Sequence, residues 1–499
     1  MTPALALLLP LAAGASCVLG FAPFYAWPVP IAALAALLFV WRRNASPRQA
    51  ALSGFAFGLG YFLAGVSWVF VSLHEFGSMP AILAAIATFL FCAYLALFPA
   101  AAGWIATRLA PDGRMRLALA VASFVALEWL RGWLFSGFPW LTLGTSQAPG
   151  GPFAGYAPYV GAYGTSLAIA GAAALLLMVL DRRGQERRSR LAALAGIAAL
   201  LLAGAAARNV QWTEPAGPPV AMALLQGNVP QELKWRDDVR ARTLADYRQM
   251  IFEAKAAIVV VPETALPAFF DQLPADYLES IRAHGREAGK DILLGTVERE
   301  YRGEEFDYYN SVVTLGAGKP QSYRKRHLVP FGEFIPPGFR WVLAVLKIPL
   351  SDFTKGPRRQ AALLAGGVPF GIAICYEDIF GEEVIDALPD ARILLNVSND
   401  AWFGESFAAE QHLQTSQMRA LETGRWMVRA TNTGVTAAID DQGRVVGRLA
   451  PFVAGTLQQL VMPRIGMTPY ARFGNTPAML LVAALAAFAV MRRRRRAAP

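Results

Sequence analysis

Long runs of apolar residues follow one another through the first 207 positions of the chain. A helix needs about 20 such residues to cross a bilayer. The pattern therefore predicts seven membrane-spanning helices before residue 208 and an eighth close to the carboxyl terminus. The predicted spans lie near 4–23, 28–41, 50–72, 81–106, 117–135, 159–180, 191–207 and 477–491. No basic segment precedes the first run, which favours a span over a cleaved signal peptide.

Arginine residues occur in alternate loops between these spans. They are Arg42, Arg43 and Arg48 after the second span, Arg108, Arg114 and Arg116 after the fourth, Arg182, Arg183, Arg187, Arg188 and Arg190 after the sixth, and Arg492–Arg496 in the tail. The loop at 136–158 has no charged residue. Because loops rich in Lys and Arg stay in the cytoplasm, both termini are expected there. The segment between the seventh and eighth spans is then expected outside the membrane, on the other side.

Two charged residues, Glu128 and Arg131, lie within the predicted fifth span. Charged side chains inside a membrane are costly, and they are usually paired or functional. Because residues three positions apart share a helix face, we predict that these two pair with each other. Contact with a lipid headgroup is the alternative.

The pattern changes after residue 207, where short apolar runs alternate with segments of helical period. Strands are predicted at 220–228, 257–267, 291–298, 310–318, 368–378, 393–400 and 434–447, and helices at 238–255, 276–289 and 408–424. This alternation is typical of an α/β layered domain. The predicted domains are a membrane domain of seven transmembrane helices at 1–207, an extracytoplasmic α/β domain at 208–474, and the final transmembrane helix with a basic cytoplasmic tail at 475–499.

Composition supports a membrane protein. Hydrophobic residues make up 55% of the chain and charged residues 16%, and the mean hydropathy is +0.37. A soluble domain has about 25% charged residues. The net charge of +10 lies largely in the arginine-rich loops and tail, so no nucleic-acid partner is expected. The three cysteines and four histidines show no ligand spacing, and neither a metal nor a cofactor is expected.

Three chemically useful residues lie at strand ends or in turns of the α/β domain. Glu263 follows VVVP, Cys375 ends GIAIC, and Lys325 lies in SYRKRHLVPFGEF. Asn399 ends a further strand, LLNVSN. Ligands bind at the carboxyl ends of strands in open α/β sheets, so we expect the acid, the amine and the thiol to converge.

A carboxylate, an ammonium and a thiol together can transfer acyl groups. The thiolate is the nucleophilic form of cysteine, and a neighbouring ammonium such as Lys325 favours it. Glu263 can accept the thiol proton. Lys325 and the backbone N–H groups after Cys375 can stabilise a tetrahedral oxyanion. The alternative is that Cys375 is only a small buried hydrophobic residue.

Six local strings in the chain carry a family resemblance. They are QGNVPQELKW (226–235), PETALP (262–267), YRKRHLVPFGEFIP (323–336), CYEDIF (375–380), NVSNDAWFG (396–404) and RATNTGVTAAID (429–440). Their order and spacing resemble the nitrilase superfamily, which has a Glu–Lys–Cys triad on an αββα sandwich. Together with the eight predicted spans, these strings resemble one membrane branch of the superfamily, the apolipoprotein N-acyltransferase family. This resemblance covers nearly the whole chain.

The resemblance implies a ping-pong reaction in a bacterial inner membrane, with the catalytic domain in the periplasm. A fatty acyl chain would move from the sn-1 position of a phospholipid, typically phosphatidylethanolamine, to the cysteine. It would then pass to the α-amino group of an S-diacylglyceryl-cysteine at the amino terminus of an apolipoprotein. By this resemblance Glu263 is the general base, Lys325 stabilises the oxyanion and Cys375 is the nucleophile.

Five further residues are expected to support the triad. The resemblance assigns Glu333 to the oxyanion geometry, and it matches Trp235, Tyr376 and Glu377 to positions that the family needs. Taken alone, Glu333 could be a structural anchor, Trp235 could begin a helix, and Glu377 could bond only to backbone. Asn399 is a candidate for substrate binding, although Asn is also a common turn residue.

The segment GFRWVLAVLKIPLSDF (338–353) is apolar and is flanked by prolines. We predict a mobile lid at the membrane interface, with Trp341 and Leu346 on its apolar side, and a core helix is the alternative.

Competing functions are a membrane-tethered amidase that uses the same triad and a transporter or scaffold that merely binds ligand. A monomer is expected.

Overall fold

Two units, one helical and one built on sheets, divide the chain in a computed structural model. The model describes residues 3–44, 46–110, 113–180, 186–231, 236–303, 305–336, 338 and 352–497. The helical unit comprises 1–70, 81–211 and 469–499, and the sheet unit comprises 71–80 and 212–468. The segment 71–80 begins within the last two residues of the predicted third span, 50–72, yet it packs with the sheet unit. The sequence pattern did not predict this grouping.

The described helices are α1 (Pro3–Cys17), α2 (Val29–Arg43), α3 (Pro47–Val66), α4 (Trp68–Val71), α5 (Ala81–Leu109), α6 (Gly113–Arg131), α7 (Ala157–Leu180), α8 (Arg187–Ala207), α9 (Asp237–Glu253), α10 (Ala275–Ala288), α11 (Gly381–Val384), α12 (Ala408–Thr423), α13 (Pro469–Phe473) and α14 (Thr476–Ala497). Among the described residues, four segments are long and apolar enough to cross a membrane: Pro47–Val66, Ala81–Leu109, Pro152–Leu180 and Arg187–Ala207. Leu5–Gly20 and Thr476–Arg492 are shorter apolar helices. An apolar helical region is therefore confirmed, and the count of eight spans stays a prediction.

Glu128 and Arg131 both lie buried in α6, but each bonds to backbone of the loop that follows. Glu128 Oε1 accepts a hydrogen bond from the Leu143 N–H at 2.7 Å. Arg131 Nη1 donates to the carbonyl of Trp140 at 2.8 Å. The expected ion pair between these two side chains is thus replaced by hydrogen bonds to the backbone of the charge-free loop at 136–158. The reason is that the loop offers a donor to the carboxylate and acceptors to the guanidinium.

The strands are β1 (Thr213–Pro215), β2 (Val220–Gln226), β3 (Ile258–Val261), β4 (Asp291–Arg302), β5 (Glu305–Gly316), β6 (Ser322–Arg324), β7 (Leu363–Ala365), β8 (Val368–Ile374), β9 (Ile393–Ser398), β10 (Met427–Thr431), β11 (Ala437–Ile439), β12 (Val445–Arg448), β13 (Gly455–Val461) and β14 (Arg464–Gly466). One six-stranded sheet has the order β13-β2-β3-β4-β5-β6, and the other has the order β12-β11-β10-β9-β8-β7. β1 pairs with β14 in a separate two-stranded sheet.

The two six-stranded sheets share one core. Leu224 and Val260 from the first sheet pack with Ile374, Leu395 and Val428 from the second. The outer face of the first sheet is covered by α9 and α10, and the outer face of the second is covered by α12. Strands covered on both faces read as continuous apolar runs, as the sequence showed. The sheet unit is therefore a four-layer α–β–β–α sandwich.

Parallel pairing at the centre of each sheet positions the candidate site. β2, β3 and β4 run parallel in the first sheet, and β8, β9 and β10 run parallel in the second. Parallel strands have their carboxyl ends on the same side of the sheet. The residues after β3, β8 and β9 therefore lie at the carboxyl ends of the strands, where ligands usually bind. These residues include Glu263, Cys375 and Asn399.

Candidate active site

Cys375 occupies a sharp turn directly after β8. Its φ is +53°, and a short 3₁₀ helix, Cys375–Ile379, begins at the same residue. Thr264, which follows Glu263, also has a positive φ of +43°. Such backbone conformations cost about 1–3 kcal/mol for a non-glycine residue and cluster at functional sites. The turn presents a half-buried thiol at the end of the strand.

The buried carboxylate of Glu377 holds this turn together. Glu377 Oε2 accepts from the Ile374 N–H at 2.7 Å, and Oε1 accepts from the N–H groups of Arg326 at 2.7 Å and His327 at 3.2 Å. Tyr323 donates its hydroxyl to Oε2 at 3.1 Å. Glu377 thereby ties the segment that carries Lys325 to the turn that carries Cys375. Most of its hydrogen bonds are to backbone N–H groups, which is close to the alternative that Glu377 bonds only to backbone.

Lys325 is fully buried and lies between two carboxylates. Its Nζ is 2.8 Å from Glu333 Oε1 and 3.5 Å from Glu263 Oε1. The Lys325 N–H donates to the Asn310 carbonyl at 2.7 Å. This bond continues the β5–β6 pairing one residue past the end of β6. The structure thus brings the predicted acid and amine into contact. Glu333 is also held by the Val329 N–H at 2.9 Å.

Two asparagines orient the Glu263 carboxylate. Asn310 Nδ2 donates to Glu263 Oε1 at 2.7 Å and to Glu333 Oε1 at 3.0 Å, so one amide holds both acids. The backbone N–H of Asn399 donates to Glu263 Oε2 at 2.7 Å. The Asn399 side chain points elsewhere, since it bonds to Gln231 at 2.7 Å and Asn432 at 3.0 Å. Glu263 is therefore fixed through both oxygens.

The charges of this site act on the thiol. Burial raises the pKa of Cys375 well above its ordinary value, and the Glu263 carboxylate raises it further, although the Lys325 ammonium lowers it. Burial lowers the pKa of Lys325, but the carboxylates of Glu333 and Glu263 outweigh burial and raise it above the usual value. At neutral pH the lysine is thus charged and the thiol is protonated. Such a thiol needs a base to become a nucleophile.

A buried ionic cluster lies beneath the site and joins the loops after β8 and β9. His412 Nε2 is 2.8 Å from Asp378 Oδ1, and His412 Nδ1 is 3.1 Å from Asp400 Oδ1. Arg429 bridges the same two carboxylates, at 3.0 Å from Asp378 and 3.3 Å from Asp400. Ser398 donates to Asp400 at 2.6 Å. Because each charged side chain of the cluster is buried and has an oppositely charged partner, the cluster fixes the positions of both loops.

Of the remaining predicted site residues, the structure describes some and leaves others undescribed. Tyr376 is buried, and its ring packs edge-on against Phe380 at 5.1 Å. Trp235, Trp341 and Leu346 lie outside the described residues, so the lid and the supporting role of Trp235 stay predictions. Within the described residues, no group of three His, Cys, Asp or Glu side chains is arranged to hold a metal ion.

Sequence reasoning missed Asn310 and the role of the buried cluster. Asn310 lies inside a predicted strand, and its only signal was a polar residue opening the apolar run NSVVTLG. Asp400 directly follows the predicted strand end at Asn399, and His412 is one of the four histidines that show no ligand spacing. Their partners lie far away in sequence, at Asp378 and Arg429, so the pairing could not be inferred from spacing.

Two family models match the chain. The model described as "Apolipoprotein N-acyltransferase N-terminal domain" matches residues 13–175. The model described as "Carbon-nitrogen hydrolase" matches residues 221–469. The matched ranges correspond to the helical region and to the sheet domain described above.

Curated relatives cover nearly the full length. A Nitrosomonas europaea protein named apolipoprotein N-acyltransferase is 48% identical over 491 residues, covering 97% of this chain and 97% of its own. A Methylococcus capsulatus protein of the same name is 48% identical over 500 residues, covering 99% and 97%. Among solved structures, the C. elegans NitFhit protein covers 52% of this chain and 63% of its own, with 16% identity and a TM-score of 0.39. The near-complete match to these two bacterial relatives shows that the chain belongs to the apolipoprotein N-acyltransferase family and is an N-acyltransferase.

Proposed function

We propose that the protein transfers a fatty acyl chain from the sn-1 position of a phospholipid to the α-amino group of an apolipoprotein's S-diacylglyceryl-cysteine. Phosphatidylethanolamine is the expected donor, and a Cys375 thioester is the intermediate. The observation that carries this proposal is the approach of Lys325 Nζ to within 3.5 Å of Glu263 Oε1, with both charges acting on the Cys375 thiol in the turn directly after β8. The lipoprotein substrate is inferred from the names of the two bacterial relatives.

The charge balance of the site favours proton transfer within it. Glu263 and Glu333 carry two negative charges, and Lys325 carries one positive charge. Loss of the Cys375 proton to solvent would leave a third negative charge in a buried site, which is costly. Transfer of that proton to Glu263 leaves the net charge of the site unchanged. Glu263 therefore acts as the general base that makes the thiolate.

The first half-reaction forms the thioester. The Cys375 sulfur attacks the ester carbonyl carbon while its proton passes to Glu263. Lys325 stabilises the oxyanion that develops on the carbonyl oxygen. The carbon–oxygen bond then breaks, and Glu263 returns the proton to the departing lysophospholipid oxygen. Glu333 and Asn310 act by holding Lys325 and Glu263 in position.

The second half-reaction consumes the thioester. The acceptor amine attacks the thioester carbon and gives a proton to Glu263, and Lys325 again stabilises the oxyanion. The carbon–sulfur bond breaks, and the sulfur takes the proton back. The product is an amide, and Cys375 returns to the thiol form. One chain supplies the whole triad, which supports a monomer.

We also propose that the catalytic domain is periplasmic and that both termini are cytoplasmic, in a bacterial inner membrane. The arginine-rich loops support this orientation. A second observation is independent of charge. The segment 71–80, which begins within the last two residues of the predicted third span and continues into the loop after it, packs with the sheet unit, so both must lie on one side of the membrane.

The test is intact-mass analysis of the full-length protein in detergent after incubation with phosphatidylethanolamine. The wild-type protein should gain the mass of one fatty acyl group, and Cys375→Ala should not. Cys92→Ala is the matched control, because Cys92 is a buried cysteine in α5 and should leave acylation unchanged. Labelled lipopeptide should then remove the acyl group. Acylation of Cys375→Ala, or an acyl group that lipopeptide cannot remove, would overturn the proposal.

A further inference from the structure

A pocket of ≈ 550 Å³ lies within the sheet unit and serves no role in the reaction as written so far. Three chain segments and two single residues line it. They are segment 71–76, segment 228–231, segment 401–406, Thr433 and Phe452. The first segment begins at Val71, the last residue of α4, and belongs to the segment 71–80 that packs with the sheet unit. The pocket is thus formed by a loop of the predicted membrane domain together with the catalytic sandwich.

The loop is firmly attached at this pocket. Ser72 donates its hydroxyl to the Trp402 carbonyl at 2.6 Å, and the rings of Phe76 and Trp402 meet edge-on with centroids 6.0 Å apart. Gly404 has a φ of +53°, and a Cβ there would lie 2.9 Å from the Val71 side chain. Only glycine allows this close approach without strain. The pocket walls are therefore held together by specific contacts.

Among the residues that the structure describes, the charged ones in the pocket lining are both acidic. Glu75 comes from the loop and Glu405 from the segment after β9, and both are exposed at the pocket. Neither carboxylate has an ion pair with any residue that the structure describes. Two unpaired carboxylates at one pocket attract a cation and repel an anion.

A buried hydroxyl gives a second, independent sign of a ligand. Thr433 lines the pocket and is 4% exposed. Within the described part of the chain its Oγ1 has no hydrogen-bond partner. Buried polar groups are nearly always paired, and an exception calls for an explanation such as a bound group. A polar ligand in the pocket would supply that partner.

The pocket adjoins the catalytic carboxylate. Gln231, in the pocket wall, accepts a hydrogen bond from the Asn399 side chain at 2.7 Å. The backbone N–H of Asn399 donates to Glu263 Oε2 at 2.7 Å. Two hydrogen bonds therefore connect the wall to the general base. A ligand that reacts at Cys375 could extend its polar end into this space.

We propose that this pocket binds the ammonium-bearing headgroup of the phospholipid donor, with Glu75 and Glu405 facing the ammonium and Thr433 bonding to a headgroup oxygen. The inference rests on the proposed acyl transfer. The acceptor's α-amino group suits the pocket less well. That amine must be neutral and at the thioester carbon to react, whereas carboxylates favour the charged form. The headgroup ammonium stays charged and lies several bonds from the reacting ester.

The experiment measures equilibrium binding of short-chain phosphatidylethanolamine and phosphatidylglycerol to the full-length protein in detergent. A Cys375→Ala background prevents turnover. Phosphatidylethanolamine should bind more tightly. Glu75→Gln/Glu405→Gln should weaken its binding by about fivefold per carboxylate and leave phosphatidylglycerol binding unchanged or stronger. Thr433→Val should weaken binding by about fivefold without lowering stability, since the hydroxyl has no hydrogen-bond partner among the residues that the structure describes.

The matched control is Glu253→Gln/Glu287→Gln, which removes two exposed carboxylates from α9 and α10 of the same unit. It should leave both lipids' binding unchanged. Equal binding of the two lipids, or a preference that survives Glu75→Gln/Glu405→Gln, would overturn the headgroup site. So would an acyl-transfer defect of Glu75→Gln/Glu405→Gln that is confined to the lipopeptide step, measured with Cys375 intact, because it would assign the pocket to the acceptor. The binding readout does not depend on thioester formation, so failure of the proposed function would show separately, as absence of the acyl group on wild-type Cys375.

Discussion

The Lys325 ammonium and the Glu333 carboxylate form a buried ion pair, with Nζ 2.8 Å from Oε1. Lys325 is the charge that would face the oxyanion, and Glu333 fixes where that charge lies. The two residues are eight positions apart, and the turn between them returns the chain so that Val329 also bonds to Glu333 at 2.9 Å. Positioning of this kind matters because electrostatic stabilisation depends on donors held in place before the reaction.

Replacing Glu333 with Gln should slow thioester formation by about tenfold to a hundredfold, because Lys325 loses its nearest anchor. Phospholipid binding should change little, since the Glu333 carboxylate bonds to Lys325, Asn310 and the Val329 N–H. Single-turnover acylation followed by intact mass gives the rate. The control is Glu298→Gln, which removes a similarly buried partner of the neighbouring Arg324 at 3.3 Å. A Glu333→Gln rate within twofold of wild type would contradict the positioning role.

Replacing Asn310 with Ala should lower both activity and stability. One amide nitrogen of Asn310 bonds to Glu263 and Glu333, and hydrogen bonds to charged groups contribute about 1.5–3 kcal/mol each. We expect the free energy of unfolding to fall by about 2–4 kcal/mol and thioester formation to be strongly reduced. Denaturant unfolding in detergent and single-turnover acylation provide the two measurements. Asn310→Ala with full acylation would show that Glu263 needs no such support.

Glu377→Gln should disrupt the turn at Cys375. Three backbone N–H groups converge on this buried carboxylate, and an amide must turn its NH₂ toward some of them. We expect a stability loss of about 2–3 kcal/mol and little remaining thioester. Glu383→Gln is the control, because Glu383 contacts the side chains of Arg326 and His327 from a more exposed position. Equal effects of the two substitutions would argue against a special role for Glu377.

His412 should make stability depend on pH in the alkaline range. Burial and Arg429 lower the pKa of His412, but Asp378 and Asp400 outweigh them and raise it to about 9, against 6.5 ordinarily. A raised folded-state pKa means that the contribution is complete below pH 6.5 and is lost as the pH rises through about 9. Unfolding midpoints measured from pH 6 to about 10 should fall more steeply for wild type than for His412→Gln. Parallel curves would exclude a charged His412. His284→Gln, in α10, is the histidine control.

Much of the architecture follows from local pattern. Apolar runs predicted the helical region, and continuous buried runs such as IVVV at β3 predicted β2, β3, β4, β5, β8 and β9. The prediction missed β10 and β13 and placed one strand at 434–447, where the structure has β11 and β12. The candidate acid and thiol were predictable because they follow such runs, and strand ends face the ligand side of a sheet. Motif strings then related the whole chain to its family, since they combine several residues in fixed order.

Other features depended on contacts between distant segments. The Glu128–Arg131 pairing was predicted from helical spacing, and tertiary contacts replaced it with bonds to the loop that follows. Asn310 could not be assigned because its partners lie 47 and 23 positions away along the chain. His412 joins Asp378 and Asp400 for the same reason.

Hydrophobic periodicity depends on residues that are close together in the sequence. The sequence alone was therefore enough to predict the two regions, the strand ends and the family motifs. Burial, charge pairing and cavities arise only when distant segments meet. The folded chain alone therefore showed the two carboxylates around Lys325, the positive φ of Cys375 and the placement of segment 71–80 at a pocket of the sheet unit.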